Sequence, residues 1–405
     1  MNVLFLTQVL PYPLDAGPKV RAYYVLQHVA EQHAVTLATF VRPNDPVEAL
    51  AHLAAQVSRL VTCPIQRSRR QAVLAITRSL IGGEPVLIAR DRVATMFTKL
   101  RQLVLDNQFD LIHADQLWMA PYALAAARAT PSGRTRPRLV LDQHNAVHLI
   151  PRRLAAAARN PVVRLGWLRE ARQMAIYERQ TCRAFDQVIT VTESDRTALT
   201  GLYLNGQQPS FGVIPICIDT LASPPQPRPE HSPNILFIGG MHWPPNADGV
   251  RWFADWMLPA IRASEPSAKL LAVGRQPPGV LQTEPSRAFI EAPGYVEDPQ
   301  PYWKRSQVFV VPLRAGGGMR VKILDAWARG VPVVATTIGA EGLHYRPGED
   351  ILIADTPEAF AAAVIRVLAD AALARRLAAG GRSTVEQYYD WRRVYSAWDA
   401  IYAGS

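Results

Sequence analysis

Residues 307–326, QVFVVPLRAGGGMRVKILDA, contain the pattern that decides the fold of this chain. The short apolar run 307–312 predicts a buried strand, three glycines follow at 316–318, and helical spacing begins just after them. Glycines let the backbone approach a ligand closely, and a helix N-terminus presents unpaired N–H groups with a partial positive charge. Strand, glycine loop and helix in this order predict one unit of a doubly wound α/β sheet.

Three charged residues follow the glycines. Arg320 and Lys322 place two positive charges in the opening turns of the helix, where they would suit a diphosphate and stabilise it as a leaving group. Asp325 lies one turn further on, about 5 Å from Lys322 in helical geometry. A carboxylate there can accept hydrogen bonds from ribose hydroxyls. Glycine-rich turns also occur merely at tight corners, but loop, cations and carboxylate together favour a nucleotide site.

The same strand-and-helix alternation extends outward over the whole chain. Further apolar strand candidates are 3–7, 34–40, 110–114, 138–142, 187–191, 234–240, 268–274 and 332–336, with a helix predicted at 20–30 and a helix start at 192–195. Such alternation predicts parallel sheets, and the proline-rich segment Pro224–Pro229 predicts a linker between two of them. We therefore expect an α/β protein with two doubly wound, Rossmann-like domains, 1–218 and 219–385, facing each other across a cleft. Residues 386–405 are expected to form an aromatic-rich helix that packs back on the body.

Composition limits the class of protein. The chain has 405 residues, 49% of them hydrophobic and 19% charged, which is typical of a globular protein of two or three domains. No signal-peptide pattern and no apolar window of about 18–20 residues is present, so the sequence predicts a soluble protein, at most attached to a membrane surface. Cys63, Cys182 and Cys217 lie far apart and match neither a disulfide framework nor a zinc pattern. They predict buried thiols in a reducing cytoplasm.

The excess of positive charge is confined to the first half of the chain. Residues 1–218 contain 25 Lys and Arg against 15 Asp and Glu, which accounts for the whole formal charge of +10. Such a surplus favours an anionic partner. Nucleic acid is not expected, because no helix-turn-helix, zinc-finger or RNA-binding signature is present. An anionic membrane surface or acceptor fits better, and solvated arginines remain an alternative.

One basic segment has the pattern of an interfacial helix. Residues 151–183 interleave arginines with Val162, Val163, Leu165 and Trp167. Apolar residues beside a basic face are typical of a helix that lies on an anionic bilayer. An ordinary surface helix is the alternative.

At this level of detail the chain resembles the retaining glycosyltransferase family 4 of the GT-B fold, closest to the branch associated with exopolysaccharide and exosortase systems. The resemblance covers nearly the whole chain and is most specific at 311–343, with further typical motifs at 237–253, 273–275 and 294–298. It implies transfer of a hexose from a UDP- or GDP-linked sugar to a lipid-linked or polysaccharide acceptor, with retention of anomeric configuration. The cysteine spacing and the basic first half of the chain predict a cytoplasmic enzyme that can lie peripherally on the inner face of the membrane.

The resemblance assigns roles to individual residues. Donor binding is expected from Gly17, Gly240, Arg275, Tyr295, Val296, Gly316, Gly317, Gly318, Met319 and Asp325. Catalysis is expected from His144, Arg320 and Lys322, and acceptor binding from Lys19 and Arg21, which follow the Gly17 loop. His144 follows a strand in the segment 142–145, where family members place a histidine beside the transferred sugar; His113 and His148 are weaker rivals. A lone histidine is often structural, so this assignment is a hypothesis.

The donor motif departs from the family pattern. Family members have Glu-x7-Glu, whereas this chain has Gly317 and Asp325 at the two positions. Gly317 excludes an acidic role at the first position, and a shorter carboxylate must reach the ribose at the second.

Two further expectations concern mechanism and the rival functions. No pair of carboxylates stands out as nucleophile and acid, which favours a front-face mechanism. No metal or other cofactor is expected, because two cations on the diphosphate would make a divalent ion unnecessary. The alternatives are a nucleotide-sugar epimerase or hydrolase on the same fold, and a non-catalytic nucleotide-binding protein.

Overall fold

Two compact units make up the chain in the computed structural model. The structure describes residues 1–66, 69–158, 160–203, 208–227, 233–283 and 286–404. Unit 1 comprises Met1–Ile216 together with Tyr395–Ser405, and unit 2 comprises Cys217–Val394.

Unit 1 is built on a parallel sheet whose described part has seven strands. The strands are β1 (Asn2–Thr7), β2 (Ala34–Val41), β3 (Arg59–Pro64), β4 (Leu111–Asp115), β5 (Arg138–Gln143), β6 (Gln187–Thr190) and β7 (Phe211–Val213). Their order is β3-β2-β1-β4-β5-β6-β7, with Phe5 paired to Leu37 on one side and to His113 on the other. The central strands are buried on both faces, as expected for a parallel sheet covered by helices.

The helices of residues 1–216 connect and cover these strands. They are α1 (Gly17–Gln32), α2 (Val47–Ala54), α3 (Arg69–Gly82), α4 (Val86–Ala89), α5 (Ala94–Asp106), α6 (Ala120–Ala129), α7 (Leu149–Ala157), α8 (Pro161–Arg183) and α9 (Glu193–Thr200). Side-chain caps fix two of the helix starts, since Asn160 accepts from Val162 N at 2.9 Å and Thr192 accepts from Asp195 N at 3.0 Å. The predicted helix start at 192–195 is therefore confirmed.

Unit 2 repeats the architecture with six strands among the residues described. The strands are β8 (Asn234–Ile238), β9 (Lys269–Val273), β10 (Ile290–Gly294), β11 (Val308–Val311), β12 (Val333–Ala335) and β13 (Leu352–Ile353), all parallel and ordered β10-β9-β8-β11-β12-β13. The helices are α10 (Pro244–Trp252), which continues through a π-helical turn (Phe253–Met257) into α11 (Leu258–Ser264), then α12 (Gln300–Lys304), α13 (Val321–Ala328), α14 (Pro357–Ala369), α15 (Ala371–Tyr388) and α16 (Trp391–Val394).

The end of the chain differs from the predicted single helix. Helix α15 ends at Tyr388, α16 follows it, and α17 (Ala397–Ala403) belongs to unit 1. Trp398 and Tyr402 are buried there, because their rings pack around His113 of the sheet. Trp391, Trp398 and Tyr402 are thus buried, in two short helices that belong to different units.

The division between the units lies close to the predicted domain boundary. It falls after Ile216, and unit 2 extends to Val394 instead of ending at 385. Of the predicted linker, 224–227 has no regular secondary structure, and residues 228–229 lie outside the described residues. Among the helices of the described residues, none combines the length and apolarity needed to cross a bilayer.

Candidate functional site

Each sheet reverses its strand order at one point, and these two points locate the candidate site residues. The order reverses between β1 and β4 in unit 1 and between β8 and β11 in unit 2. Ligands of doubly wound sheets bind at the carboxyl ends of the strands at such a point. The predicted glycine loop follows β11, and His144 follows β5, the neighbour of β4.

Lys322 lies at the reversal point of unit 2. Its Nζ is 3.1 Å from Asn246 Oδ1 and 4.7 Å from the centre of the Phe237 ring. An added Cβ on Gly239 would lie 2.5 Å from this Nζ, so the glycine after β8 leaves room for the amine. Burial, with a contribution from the charge of Arg320, lowers the pKa of Lys322 to about 7. The amine is therefore poised between its neutral and charged forms at neutral pH.

Arg320 supports the glycine loop from within. The residue is only 9% exposed, and its Nη1 donates to the carbonyl of Gly317 at 2.7 Å. Gly316 and Gly318 have positive φ values of 129° and 76°, which L side chains rarely adopt. A Cβ on Gly316 would also lie 2.7 Å from the Arg320 guanidinium. The glycines thus allow the loop to fold over the arginine at the start of α13, while the neighbouring Met319 is buried.

Three more predicted donor residues lie at the ends of the adjacent strands. The Arg275 guanidinium stacks on the Tyr295 ring at 4.5 Å from its centre, and Tyr295 is 53% exposed. Val296 follows and is partly buried. Gly274, whose added Cβ would lie 2.0 Å from Gly239 O, lets the ends of β9 and β8 approach.

Backbone hydrogen bonds join these strand ends into one edge. Gly239 N donates to Val273 O at 2.9 Å, Met241 N to Arg275 O at 2.8 Å, and Gly274 N to Gly294 O at 2.9 Å. The structure therefore brings the predicted donor residues of unit 2, including Gly240 between the bonded positions, to the ends of four neighbouring strands.

Asp325 lies on the first turns of α13 and faces an arginine. Its side chain is 43% exposed, and its Oδ1 accepts from Arg329 Nη1 at 3.1 Å. The structure gives it this i,i+4 partner on its own helix and no contact with Lys322. The carboxylate remains accessible at the same helix that begins beside the glycine loop.

In unit 1, His144 is buried against two aspartates. Its Nε2 lies 2.8 Å from Asp115 Oδ1 and 3.8 Å from Asp142 Oδ2, and the side chain is 4% exposed. Burial raises the pKa of Asp115 against the opposing effect of His144. Burial would also raise the pKa of Asp142, but the charges of Arg21 and His144 outweigh it and lower that pKa. The pKa of Asp115 is therefore raised, whereas the pKa of Asp142 is lowered.

Arg21 is a buried structural residue, and its predicted role in acceptor binding is wrong. Its Nε and Nη2 bind Asp142 at 2.8 and 2.9 Å, and its Nη1 donates to Ile214 O at 2.8 Å. The side chain is fully buried, so it cannot reach an acceptor. Sequence reasoning missed this because Arg21 follows a glycine loop, whereas its side chain in α1 binds Asp142 of β5.

The other residues predicted near the start of α1 are partly buried. Lys19 binds Asp15 at 2.9 Å through its Nζ, with 14% of its side chain exposed, and Gly17 is the first residue of α1. This placement leaves the predictions for Gly17 and Lys19 open.

The two rival histidines have internal partners. His113 Nδ1 lies 2.9 Å from the Tyr402 hydroxyl, and burial lowers the pKa of His113 to about 3. His148 Nδ1 lies 2.6 Å from Glu178 Oε2. Both are held in the interior of unit 1.

Asp115, Asp142 and His144 also have atoms close enough to share a cation. One ligand atom from each lies within 4.8 Å of the others. Arg21 already provides a cation to both oxygens of Asp142, and His144 Nε2 is hydrogen-bonded to Asp115. The arrangement is accounted for by hydrogen bonding and ion pairing.

The three cysteines are buried free thiols, as predicted.

Sequence reasoning did not assign a role to Asp115 or Asn246. Asp115 ends β4 next to the reversal point, and Asn246 lies on the first turn of α10 opposite Lys322. A polar residue at the carboxyl end of a buried strand was the available signal for Asp115. Asn246 could be identified only from its contact with Lys322, which joins α10 to α13.

Family models match most of the chain. The model described as Glycosyltransferase Family 4 matches residues 16–220, and the model described as Glycosyl transferases group 1 matches residues 232–370. The chain therefore belongs to glycosyltransferase family 4.

Two curated relatives align with part of the chain. An uncharacterized 44.6 kDa protein in the cps region of Klebsiella pneumoniae is 27% identical over 176 residues, which is 41% of this chain and 45% of that protein. Phosphatidyl-myo-inositol mannosyltransferase of Mycobacterium leprae is 28% identical over 193 residues, which is 46% of this chain and 50% of the relative. The chain thus matches about half the length of each.

Solved structures share the whole fold. Anabaena HepE in complex with UDP and glucose has a TM-score of 0.70 at 13% identity, with both chains fully covered. Sucrose-phosphate synthase of Thermosynechococcus elongatus has a TM-score of 0.71 at 17% identity, again with both chains fully covered. WaaG, a glycosyltransferase involved in lipopolysaccharide biosynthesis, has a TM-score of 0.64 at 14% identity over the whole of both chains. The predicted GT-B fold is confirmed.

Proposed function

We propose that this protein is a glycosyltransferase that moves a hexose from a UDP- or GDP-linked sugar to a lipid-linked or polysaccharide acceptor, with retention of configuration. The observation that carries the proposal is Lys322, a partly buried amine that contacts Asn246 and Phe237 beside a glycine loop at the reversal point of the second sheet. Membership of glycosyltransferase family 4 and the fold shared with a UDP-bound structure support it.

The donor would bind along the strand ends of unit 2. Its diphosphate would lie against the glycine loop 316–318, the start of α13 and Lys322, where backbone N–H groups and positive charge favour an anion. Asp325 would accept from the ribose, and the exposed Tyr295 with Val296 would line the base. Arg320, which is held under the loop, would act through its charge and by keeping the loop in shape.

In the proposed reaction the bond from the sugar C1 to the diphosphate oxygen breaks, and a bond from C1 to the acceptor oxygen forms on the same face. The acceptor proton passes to the leaving diphosphate, so the products are the glycoside and a nucleoside diphosphate. Lys322 and Arg320 would stabilise the charge that develops on the leaving group. His144 would bind the transferred sugar. A variant that carries Lys322→Ala is expected to lose turnover by about 100-fold or more.

Thermal unfolding with a panel of nucleoside diphosphates tests donor binding. A ligand at about 100 times its Kd stabilises by about 2.7 kcal/mol, which corresponds to a rise in Tm of roughly 5–10 °C for a domain of this size. A rise with one base identifies the donor class, and UDP is the first choice. If none of the diphosphates of uridine, guanosine, adenosine, thymidine and cytidine raises Tm, the proposed donor site is wrong.

Product analysis separates the proposal from its rivals. Transfer to an acceptor with the donor's anomeric configuration, seen by proton NMR, supports retaining transfer. Release of nucleotide with an altered or free sugar and no acceptor points to an epimerase or hydrolase. Binding without turnover points to a non-catalytic protein.

We also propose that unit 1 contacts an anionic membrane surface through α8. Its exposed positions hold Val162 at 77%, Leu165 at 69% and Leu168 at 45% exposure, together with the exposed Arg164 and Arg172. Basic and apolar residues on one exposed helix favour an anionic bilayer.

The acidic residues of α8 do not reduce this positive charge at the surface. Glu170 accepts from Val86 N and Leu87 N, and Glu178 accepts from Gln143, Val147 N and His148. Both are buried, so the outer face of the helix is basic and apolar.

Vesicle sedimentation tests this surface. We expect binding to vesicles with about one-third phosphatidylglycerol, loss of binding to pure phosphatidylcholine, and a weaker interaction for Leu165→Ser. The matched control is Val280→Ser, which removes an apolar side chain of 49% exposure in unit 2. Equal binding by both variants and wild type would contradict the role of α8.

A further inference from the structure

The glycine turn after β8 places one amide side chain against the amine of Lys322. Asn246 Oδ1 lies 3.1 Å from Lys322 Nζ, and Asn246 Nδ2 donates to the carbonyl of Gly240 at 2.9 Å. A carbonyl oxygen can only accept a hydrogen bond, so the NH2 group of the amide must face Gly240 and the amide oxygen must face the amine. The backbone of the turn therefore fixes which end of the amide Lys322 meets.

Asn246 is itself held on the first turn of α10. Its backbone N–H donates to Trp243 O at 3.0 Å, and Trp243 N donates to Gly240 O at 3.2 Å. An added Cβ on Gly239 would lie 2.5 Å from Lys322 Nζ and 3.0 Å from Asn246 Nδ2. The absence of a side chain at Gly239 thus leaves room for the amide and the amine together at the end of β8.

The nearby carboxylates of the two helices have other partners. On α10, Asp248 binds Arg314 with a closest distance of 2.6 Å. On α13, Asp325 binds Arg329 at 3.1 Å. Neither carboxylate is the partner of Lys322, whose amine meets the oxygen of a neutral side chain.

The partners of the amine orient it without neutralising its charge. The Asn246 oxygen accepts a hydrogen bond from the amine in its neutral or its charged form, and it carries no full negative charge. The Phe237 ring, whose centre lies 4.7 Å from Lys322 Nζ, offers only a weak attraction to a cation. Arg320 acts on the amine as a like charge. Lys322 is therefore held in place while its charge stays open to an anion.

We infer that Asn246 is a positioning residue for Lys322: it holds the amine at the end of β8, and its neutral amide leaves the charge of that amine available to an anionic ligand. The identity of the ligand, a nucleoside diphosphate, rests on the proposed function, whereas the pairing of Asn246 with Lys322 is a property of the free protein. A carboxylate at position 246 would instead pair with the amine and compete with the ligand for it.

The first test follows the titration of Lys322 in the free protein. The chain has five lysines, so carbon-13 NMR of lysine-labelled protein gives few signals, and Lys322 is identified by the signal lost in Lys322→Met. In Asn246→Asp we expect the midpoint of this titration to rise by about one to three pH units, because an opposite charge at hydrogen-bond distance favours the ammonium. An unchanged midpoint in a folded variant would overturn the inference. This measurement needs no ligand.

The second test measures UDP binding at pH 8 by calorimetry in buffers of different ionisation enthalpy. Asn246→Asp should take up less than about 0.2 proton and bind at least about 10-fold more weakly, since its amine is charged beforehand and paired with the new carboxylate. Asn246→Ala removes the amide oxygen but adds no charge. It should also bind about 10-fold more weakly, yet still take up more than about 0.5 proton.

The difference in proton uptake separates positioning from a merely structural role. A general loosening of the turn would weaken binding in both variants and leave their uptake alike. Equal uptake by Asn246→Asp and Asn246→Ala, or wild-type affinity in both, would overturn the inference.

The matched control is Asn234→Asp, at the opposite end of β8. Asn234 Nδ2 donates to Arg305 O at 3.0 Å, so the control makes the same substitution on the same strand away from the amine. It should leave the titration of Lys322 and the binding of UDP as in wild type, and an effect as large as that of Asn246→Asp would overturn the inference. If no nucleoside diphosphate raises Tm, the proposed function fails, and the titration of Lys322 in the free protein still decides the role of Asn246.

Discussion

Binding of a nucleoside diphosphate should draw a proton onto Lys322. The amine is partly buried beside Asn246 and Phe237, and its pKa is lowered to about 7 by desolvation and by Arg320. A fall of the lysine pKa from its usual 10.5 to about 7 corresponds to roughly 5 kcal/mol against the charged form. A diphosphate within contact distance would reverse most of this effect, because an opposite charge favours the ammonium.

The size of the effect follows from the titration. With a pKa of about 7 the amine is about one-tenth protonated at pH 8, so binding a diphosphate takes up about 0.9 proton there. At pH 7 the uptake falls to about 0.5 and at pH 6 to about 0.1. Because the bound form holds the extra proton, affinity must weaken as pH rises above 7, by up to about tenfold per pH unit.

Calorimetry in buffers of different ionisation enthalpy measures the proton uptake directly. The ligand is the nucleoside diphosphate with the largest rise in Tm, and pH 8 is chosen because its phosphates no longer titrate there. Lys322→Met is the control, since it removes the titrating amine and should show uptake near zero with weaker binding. Strong binding by wild type with an uptake below about 0.2 proton at pH 8 would refute the reasoning.

Three further predictions concern other parts of the chain. Arg21→Met should lower the free energy of unfolding in urea by about 3–5 kcal/mol, because it leaves the buried Asp142 without its partner. Arg136→Met, the control at an exposed ion pair, should lower it by less than about 1 kcal/mol. Equal losses in the two variants would contradict the structure. Gly239→Ala should weaken diphosphate binding about 10- to 100-fold by displacing the Lys322 amine, and Gly279→Ala, which has open space around it, should not. All three cysteines should react with a thiol reagent only after unfolding, since they are buried, and fast labelling of the native protein would be inconsistent with that.

The central strands were predictable because their residues form continuous apolar runs. The prediction of a strand at 138–142 is confirmed by β5, and the same holds for 34–40, where β2 extends to Val41. Strands buried on both faces have this pattern, and the helices between them follow from the parallel pairing.

The strands at the sheet edges were missed for a physical reason. β3 is largely half-buried, and β10 contains Glu291, Pro293 and Gly294, residues that are depleted in strands. β13 has two residues, too few for any periodicity. Edge strands need less burial, so tertiary pairing and not sequence pattern determines them.

The sequence located the glycine loop 316–318 but could not distinguish between the two cations that follow it. Arg320 and Lys322 are two residues apart, yet one donates to the loop backbone and the other reaches across to α10. Helical geometry placed Asp325 near Lys322, whereas the side chain pairs with Arg329. Which partner each side chain contacts depends on its rotamer and on residues of other helices and strands. The sequence alone does not give their positions.

The contrast between Arg21 and Lys322 indicates which basic residues of this chain are available for a ligand. Both were predicted to meet an anion; Arg21 is fully buried, and Lys322 is partly buried. Arg21 has a carboxylate on two of its nitrogens, so its charge is satisfied within the protein. Lys322 has an amide oxygen and an aromatic ring as partners, and no carboxylate among the described residues contacts it. Burying a cation without an anion is costly, and a chain that retains such a group gives up stability to keep it. The cost is recovered only when an anion binds, so the unsatisfied charge at Lys322, and not the number of basic residues, is the physical argument for a phosphate site in unit 2.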